Sequence, residues 1–310
     1  MSSVEDNKVI VIVGPTAVGK TDISIHLAQK FNGEIISADS RTFYIGMDIG
    51  TAKPSKSDQQ TVKHYMVDVA DPGENISLAT FQKTSIELIN LIRSKGKTPF
   101  IVGGTGQYIR AITHGWDSPA VAPQLKLRRI LESISQDKGY SYLHDNLAVM
   151  DPSAAEKIDP RNVRRTIRAL EVIFTTGKTF SSQRKKGRQL FNHLLIGLTR
   201  PREELYERID QRIETMFKKG FISEVKTLLE AGYSENTPSL SAIGYPECIQ
   251  VIKGEITESE AKTEIKRKTR IFVRRQANWF KPGDESIKWF NLSSENLEDI
   301  EIYIRSKLRS

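Results

Sequence analysis

A glycine-rich segment near the N-terminus has the residue types and the spacing that hold phosphate groups in proteins. The eight residues GPTAVGKT run from Gly14 to Thr21, and four residues separate the first glycine from a Gly-Lys-Thr triplet. Backbone N–H groups of such a loop point at phosphate oxygens, Lys20 would neutralise the outer phosphate, and the Thr21 hydroxyl could ligate Mg²⁺. The sequence therefore predicts a phosphate-binding loop made of Gly14, Pro15, Thr16, Ala17, Val18, Gly19, Lys20 and Thr21.

Two acidic residues bear on what this loop would do. A kinase or nucleoside triphosphatase usually has an acidic residue at the end of an apolar strand to support Mg²⁺. Asp68 in YMVDVADP is a candidate for this residue, but an acidic residue of a turn would fit the same position equally well. Asp39 follows the apolar run EIISA, at the strand end where open α/β sheets bind ligands. A carboxylate beside a bound phosphate could accept a proton from an incoming nucleophile, whereas a helix cap or turn acid is the alternative.

A second glycine-rich turn, GGTGQY, covers Gly103–Tyr108. Glycines let the backbone approach a ligand closely, and Thr105 would offer a hydroxyl group in that space. A structural turn between a strand and a helix explains the segment as well.

Alternating strands and helices would position these loops. Apolar runs predict strands, and helical periodicity predicts helices, in an order typical of a parallel α/β sheet flanked by helices. Only helical periodicity is found from 119 to 190, which predicts an all-α insertion, with a continuous core and a helical edge as the alternative. We therefore expect a core at 1–118 and 191–310 and an insertion domain at 119–190. Predicted strands are Lys8–Val13, Glu34–Ser40, Tyr65–Pro72, Thr98–Gly106 and His193–Leu198, and predicted helices are Thr21–Lys30, Ser77–Arg93, Glu203–Lys219, Ile222–Glu230, Pro246–Lys253 and Ser259–Phe280.

The charge distribution favours a polyanionic partner. The chain of 310 residues has a net charge of +8, and basic clusters occur at Lys126–Arg129, Arg161–Arg168, Arg184–Arg188 and Lys262–Arg275. Acids are sparse in these runs, which argues against ordinary surface helices held by salt bridges and favours nucleic acid. The single cysteine, Cys248, excludes an internal disulfide and a cysteine-based zinc site, and we expect it to be buried. The N-terminus has no apolar signal segment and no apolar run could span a bilayer, so we expect a cytoplasmic protein without membrane association.

The segments GPTAVGKT, ISADS, YIGMDIGTAKP, VGGTGQY, RALEV, IGYPE and TRIFVRRQANWF occur in the order found in bacterial tRNA dimethylallyltransferases. The chain resembles that family from about Val9 to Phe280. The resemblance implies a core like that of P-loop nucleoside triphosphatases and transfer of a dimethylallyl group from dimethylallyl diphosphate to N6 of adenosine 37, beside the anticodon. The tRNAs would be those reading codons that begin with U, and the products would be N6-dimethylallyladenosine and diphosphate. The loop would then hold the diphosphate of the allylic donor, with Mg²⁺ at Thr21, instead of a nucleotide.

The resemblance also implies roles for individual residues. Lys20 and Arg212 would bind the diphosphate, Asp39 would take the proton from N6, and Thr105 would help to hold the adenine. Arg208, one helical turn before Arg212, could share the diphosphate or lie on a solvated helix face. The partners would be dimethylallyl diphosphate and the tRNA anticodon stem-loop, bound by the core and the insertion of a monomer. The residues expected to contact tRNA are Asp39, Ser40, Arg41, Thr42, Thr105, Lys126, Arg164, Arg165, Arg168, Gly244, Tyr245, Arg274, Arg275, Gln276, Asn278 and Trp279.

Some positions depart from the family pattern, namely Arg41, Thr42, Gln107, Asp159, Asn162 and Asn278, but none lies in the phosphate loop or at Asp39. Three other functions fit parts of the sequence. A prenyltransferase acting on free adenine nucleotides would share the loop and the aspartate, a small-molecule kinase would share the loop, and an RNA-binding module would need only the basic clusters.

Overall fold

The computed structural model describes residues 8–116, 121–183 and 190–308, so the basic cluster Arg184–Arg188 lies outside the described residues. The chain forms two compact units, one of Met1–Thr113 with Leu190–Ser310 and one of His114–Gln189. The boundaries lie within five residues of those expected at 118/119 and 190/191.

The first unit is built on a six-stranded parallel sheet, which confirms the predicted α/β class. Its strands have the spatial order β3-β2-β4-β1-β5-β6, with β1 between β4 and β5. The central strands form because β-branched and other apolar residues are buried on both faces, as in a sheet covered by helices. The strands are β1 (Val9–Val13), β2 (Gly33–Ser37), β3 (His64–Tyr65), β4 (Thr98–Gly103), β5 (His193–Thr199) and β6 (Ile287–Asn291).

Helices cover both faces of this sheet, and each face has its own apolar cluster. One cluster includes Ile10, Leu27 and Phe221, and the other includes Val11, Phe81 and Ile109. The helices of this unit are α1 (Lys20–Lys30), α2 (Lys56–Thr61), α3 (Leu78–Ser94), α4 (Gly106–Thr113), α10 (Arg202–Lys218), α11 (Phe221–Glu230), α12 (Tyr245–Ile252), α13 (Glu258–Ala277) and α14 (Leu297–Leu308).

The register of the central strands places the predicted chemistry at one edge of the sheet. Val13 at the end of β1 pairs with Gly103 at the end of β4 and with Gly197 near the end of β5. The phosphate loop, the turn after β2 and the turn after β4 therefore leave the same edge, as parallel strands require.

The second unit is helical in its described residues, and it contains a buried ion-pair network. The Glu171 carboxylate accepts hydrogen bonds from Arg128 at 2.8 Å and from Arg168 at 2.5 Å, and also from the backbone N–H of Gln124. Burial acts to raise the pKa of Glu171, but these bonds outweigh it and lower that pKa to about 2. The helices are α5 (Leu125–Lys138), α6 (Tyr140–Met150), α7 (Pro152–Ala155), α8 (Val163–Thr176) and α9 (Phe180–Gln183).

Several elements differ from the sequence prediction. The strand predicted over Tyr65–Pro72 is wrong beyond Tyr65, because Met66 and Asp68 adopt positive φ angles of 58° and 52° that turn the chain away from the sheet. Conversely, the prediction stopped at α13 and missed both β6 and α14. The segment IKWFN of β6 buries only Ile287 and Phe290, so its sequence lacks the continuous apolar run of a central strand.

Candidate active site

Glycines fix the shape of the phosphate loop. The loop leaves β1 at Gly14, where a Cβ atom would lie 2.6 Å from the carbonyl oxygen of Leu198. Gly19 precedes α1 with φ 109°, a conformation that residues with a side chain rarely adopt. The loop therefore runs close to β5 and delivers Lys20 and Thr21 to the first turn of α1, whose N-terminus favours anions.

The ammonium group of Lys20 lies over this loop. It donates hydrogen bonds to the carbonyl oxygens of Gly14 at 3.0 Å and Pro15 at 2.8 Å. Burial lowers the pKa of Lys20 to about 8; the nearby Asp39 carboxylate opposes this shift, and the Arg212 guanidinium adds to it. An anion bound beside Lys20 would restore the preference for the charged form.

Two arginines of α10 face the same loop. Arg208 donates to the carbonyl oxygen of Ala17 at 2.9 Å, so it does not lie on a solvated helix face. Arg212 donates to the carbonyl oxygen of Thr51 at 3.4 Å, and burial lowers its pKa while Asp39 acts to raise it. Both arginines line a cavity of about 430 Å³ together with Lys20 and Thr21; we call it the cationic cavity. This set of donors suits a diphosphate.

Asp39 is held by the two turns that follow β2 and β4. Its carboxylate accepts the backbone N–H of Arg41 at 3.0 Å, and the neighbouring Ser40 donates its N–H to the Thr105 hydroxyl at 3.4 Å. Gly103 permits this close approach, because a Cβ atom there would lie 2.3 Å from the carbonyl oxygen of Ala38. The two turns that the sequence singled out are therefore packed together.

A second cavity, of about 510 Å³, adjoins the first; we call it the apolar cavity. Its walls include Ile209, Ile213, Met216, Phe221, Ile243, Ile265 and Phe272. The residues that line both cavities are Thr16, Asp39, Thr51 and Arg212. A molecule in the cationic cavity and another in the apolar cavity would thus meet beside the Asp39 carboxylate.

Gln276 joins α13 to both glycine-rich loops. Its side-chain oxygen accepts the Thr16 N–H at 2.9 Å, and its side-chain nitrogen donates to the Gly104 carbonyl at 3.2 Å. Close by, a Cβ atom on Gly106 would lie 2.2 Å from the Trp279 ring. The end of α13 therefore forms part of the wall of the apolar cavity.

The predicted tRNA contacts of the first unit fall into three groups. One group lines the apolar cavity: Asp39, Ser40, Arg41, Thr105, Arg275, Gln276 and Trp279. Arg274 instead lines a third cavity of about 450 Å³, along with Gly14 and Pro15, and Asn278 is an exposed residue at the end of α13. Thr42 and Tyr245 are buried.

Both side chains of this last group hydrogen-bond within the protein, although Thr42 also lines the cationic cavity. The Thr42 hydroxyl hydrogen-bonds the Ser37 hydroxyl at 2.9 Å. Tyr245 has no exposed surface, and its hydroxyl donates to Glu224 at 2.8 Å. The Tyr245 side chain therefore has no exposed surface with which to make the tRNA contact expected at Gly244 and Tyr245 from the IGYPE motif. Gly244 begins α12 with φ 105° and packs against Phe221, which explains the motif structurally.

In the second unit, the predicted tRNA residues Lys126, Arg164 and Arg165 are exposed. Arg168 differs from these three residues, because its guanidinium donates a hydrogen bond to the Glu171 carboxylate. Asn162, one of the positions that depart from the family pattern, caps α8 by accepting the backbone N–H of Arg165 at 3.2 Å.

The inference that sparse acids leave the Lys262–Arg275 run unpaired is wrong for most of α13. Lys266 pairs with Glu214 at 2.7 Å, and Arg270 pairs with Asp210 at 2.8 Å. These acids come from α10, so the local sequence of α13 does not reveal them. In the described residues, Arg274 and Arg275 form no salt bridge, which concentrates free positive charge at the end of α13.

Asp68, the candidate for a strand-end acid, is a structural residue. Its carboxylate pairs with Lys53 at 2.5 Å, and Lys53 also pairs with Asp48 and donates to the Tyr44 carbonyl at 2.8 Å. The motif MDIGTAKP does not by itself indicate a role for Thr51 or Lys53, because a backbone carbonyl and an ion pair formed in the folded chain leave no signature in a sequence.

Within the described part of the chain, no group of three or more His, Cys, Asp or Glu side chains is arranged to hold a metal ion. Among the same residues, no helix has both the length and the apolar composition of a membrane span.

Comparison with known proteins gives consistent matches over nearly the whole chain. A family model described as IPP transferase matches residues 42–283. The chain is 48% identical over 272 residues to a tRNA dimethylallyltransferase from Roseiflexus sp. (strain RS-1), covering 88% of this chain and 89% of the relative. It is 46% identical over 296 residues to a tRNA dimethylallyltransferase from Carboxydothermus hydrogenoformans, covering 94% of each.

Two solved structures are similar in fold. The full-length tRNA isopentenylpyrophosphate transferase from Bacillus halodurans superimposes with a TM-score of 0.73 at 39% identity, covering 98% of this chain and 97% of that one. A eukaryotic dimethylallyltransferase studied while acting on tRNA gives a TM-score of 0.82 at 28% identity, covering 97% of this chain and 79% of that one.

Proposed function

The chain belongs to the IPP transferase family, and we propose that it transfers the dimethylallyl group of dimethylallyl diphosphate to N6 of adenosine 37 in tRNA. The target nucleoside lies beside the anticodon of tRNAs that read codons beginning with U. The products are N6-dimethylallyladenosine and diphosphate.

One observation carries this proposal: Asp39 and Arg212 line both the cationic cavity and the apolar cavity. The diphosphate binds in the first cavity, where Lys20, Arg208 and Arg212 converge. The adenine enters the second cavity, whose apolar walls suit a nucleobase and an allyl group. The reacting atoms then meet beside Asp39.

The reaction is a substitution at the first carbon of the allyl group. The C–O bond to the diphosphate breaks as the N6–C bond forms, and the electron pair of the broken bond leaves with the diphosphate. Lys20, Arg212 and the loop amides neutralise that developing charge, which is the main source of acceleration because the allylic cation is already stabilised by resonance. The Asp39 carboxylate accepts the proton released from N6, and so balances the charge on the nitrogen.

The adenine must leave its stack to reach this point. Extrusion is less costly from a single-stranded anticodon loop than from a duplex. The Ser40 and Thr105 pair borders the apolar cavity near Asp39 and would orient the base, and Arg275 and Trp279 would hold the neighbouring nucleotides. Exposed Lys126, Arg164 and Arg165 would bind the phosphate backbone from the insertion.

Mg²⁺ fits the donor set of the cationic cavity. Thr21 lines that cavity in the first turn of α1, and its hydroxyl could serve as a ligand together with diphosphate oxygens. When bound, the ion would add positive charge to the leaving group. We also propose that the enzyme acts as a monomer in the cytoplasm, where its tRNA substrate is used.

The test is incubation of the protein with dimethylallyl diphosphate, Mg²⁺ and a tRNA bearing adenosine 37, followed by mass analysis of the nucleosides. The expected product is N6-dimethylallyladenosine at that position. Parallel reactions with AMP as the acceptor, or with ATP as the donor, examine the nucleotide prenyltransferase and kinase alternatives. Product formed only from AMP, or phosphate transfer from ATP without prenylation, would refute the proposal.

A further inference from the structure

The loop from Gly46 to Pro54 forms one side of the site, and it is held by a residue that sequence motifs do not identify. We propose that Glu224 of α11 is a positioning residue for diphosphate binding, acting through this loop on Arg212. The inference rests on the proposed function, because it assumes that Arg212 binds the diphosphate of the donor.

The Glu224 carboxylate binds three successive backbone N–H groups of the loop. Asp48 and Ile49 donate to one oxygen at 2.9 and 2.6 Å, and Gly50 donates to the other at 3.1 Å. The buried hydroxyl of Tyr245 donates to the second oxygen at 2.8 Å. One carboxylate thus receives four hydrogen bonds, three of them from adjacent residues.

This arrangement requires an anionic acceptor. Consecutive N–H groups that point to one place create a concavity that favours negative charge, and a carboxylate accepts on both oxygens without offering a donor. Burial of the Tyr245 phenol and the adjacent Glu224 carboxylate both raise the pKa of Tyr245, so the phenol stays neutral and keeps donating. A glutamine at 224 would replace one acceptor with an N–H₂ group facing N–H donors.

Close packing leaves this loop little space to adopt another conformation. A Cβ atom on Gly50 would lie 2.2 Å from the Phe221 ring and 2.7 Å from the Tyr245 ring. The backbone of the loop therefore packs directly on α11 and α12, with Glu224 as its polar link to both helices.

The same loop faces the reactants on its other side. Gly50 and Thr51 line the apolar cavity, and Thr51–Pro54 line the cationic cavity. The Thr51 carbonyl accepts the hydrogen bond from Arg212 at 3.4 Å, and the Thr51 hydroxyl donates to the Met47 carbonyl at 2.6 Å. Glu224 is thus connected to Arg212 through one short stretch of backbone, although it lines neither of these cavities.

The experiment is a double-mutant cycle on binding of inorganic pyrophosphate with Mg²⁺, measured by calorimetry. We expect Glu224→Gln to weaken pyrophosphate binding about tenfold, because Arg212 loses the carbonyl that orients it. In an Arg212→Ala background the same change should weaken binding by less than about twofold. Glu230→Gln is the matched control, since Glu230 lies on the same helix with its side chain 65% exposed.

The cycle separates positioning from general destabilisation, because loss of stability alone would weaken binding equally in both backgrounds. Thermal unfolding of each variant is recorded alongside, and tRNA affinity should stay unchanged in Glu224→Gln. If Glu224→Gln does not fold, the same cycle is measured with Glu224→Asp, whose side chain is shorter by one methylene. We expect this variant to weaken pyrophosphate binding about threefold. Equal losses in the two backgrounds, or no loss in either, would overturn the role of Glu224. Failure of the unmutated protein to bind pyrophosphate would instead overturn the proposed function.

Discussion

The side-chain oxygen of Gln276 accepts a hydrogen bond from the backbone N–H of Thr16 at 2.9 Å, which joins the end of α13 to the phosphate loop. Its side-chain nitrogen reaches the Gly104 carbonyl, so one residue of α13 also fixes the turn beside Asp39. A residue expected to contact RNA therefore supports the two loops that we propose to hold the donor and the base.

The first prediction follows from this bridge. Gln276→Ala should lower the free energy of unfolding by about 1–3 kcal/mol, because the half-buried Thr16 N–H and the buried Gly104 carbonyl lose their partner. The rate of prenyl transfer should fall as well, since both loops lose their common support. Urea denaturation and single-turnover kinetics measure the two effects, with exposed Lys281→Ala as the control. Unchanged stability and rate would show that the bridge is dispensable.

The second prediction concerns pH and Lys20. Its pKa of about 8 in the free protein must rise when a diphosphate binds, so binding takes up a proton above that pH. The affinity for dimethylallyl diphosphate should be nearly constant below pH 8 and fall above it, by at most about tenfold per pH unit. Lys20→Arg should abolish this dependence, because arginine stays protonated. Calorimetric titrations from pH 7 to pH 10 measure this affinity. A parallel decline in the affinity of Lys20→Arg would contradict the role of Lys20.

The third prediction concerns the stability of the insertion. The pKa of Glu171 in the folded protein, about 2, lies below its ordinary value of 4.5. Its ionised form therefore stabilises the folded state above about pH 4.5, and this contribution is lost as the pH falls towards 2. Glu171→Gln should destabilise the insertion by about 1–3 kcal/mol at pH 7 and by less at pH 3. Hydrogen exchange of the α8 amides at both pH values measures this destabilisation. An equal loss of stability at pH 7 and at pH 3 would contradict the role of the ion-pair network.

The fourth prediction concerns tRNA binding by the insertion. Arg164 and Arg165 are exposed and form no salt bridge with described residues, whereas Arg161 pairs with Asp159 at 2.7 Å. Replacing either Arg164 or Arg165 by alanine should weaken tRNA binding and reduce the salt slope by about 1. Arg161→Ala is the control, with a smaller expected change. A salt slope that neither substitution alters would remove the insertion from the RNA interface.

Most of the core could be predicted from local sequence patterns. The phosphate loop, Asp39 and the turn around Thr105 could be predicted because each follows a buried strand, and parallel strands bring such ends to one edge. The edge strand β6 could not be predicted, because only Ile287 and Phe290 are buried there and its sequence lacks a continuous apolar run. Relationships between distant segments were also hidden: two acids that pair with α13, Asp210 and Glu214, lie on α10, and three partners of Glu224 lie in the loop that begins at Gly46. The burial of Tyr245 is a third such case, since its motif matched an RNA-proximal turn.

We propose that Asp39 takes the proton from the acceptor amine between the two cavities. Single-turnover transfer from dimethylallyl diphosphate to tRNA, measured for Asp39→Ala with tRNA affinity determined in parallel, examines this role. We expect the chemical step to slow by about a hundredfold or more while tRNA binding changes by less than about threefold, with exposed Glu285→Gln as an unaffected control. A normal single-turnover rate in Asp39→Ala would contradict it.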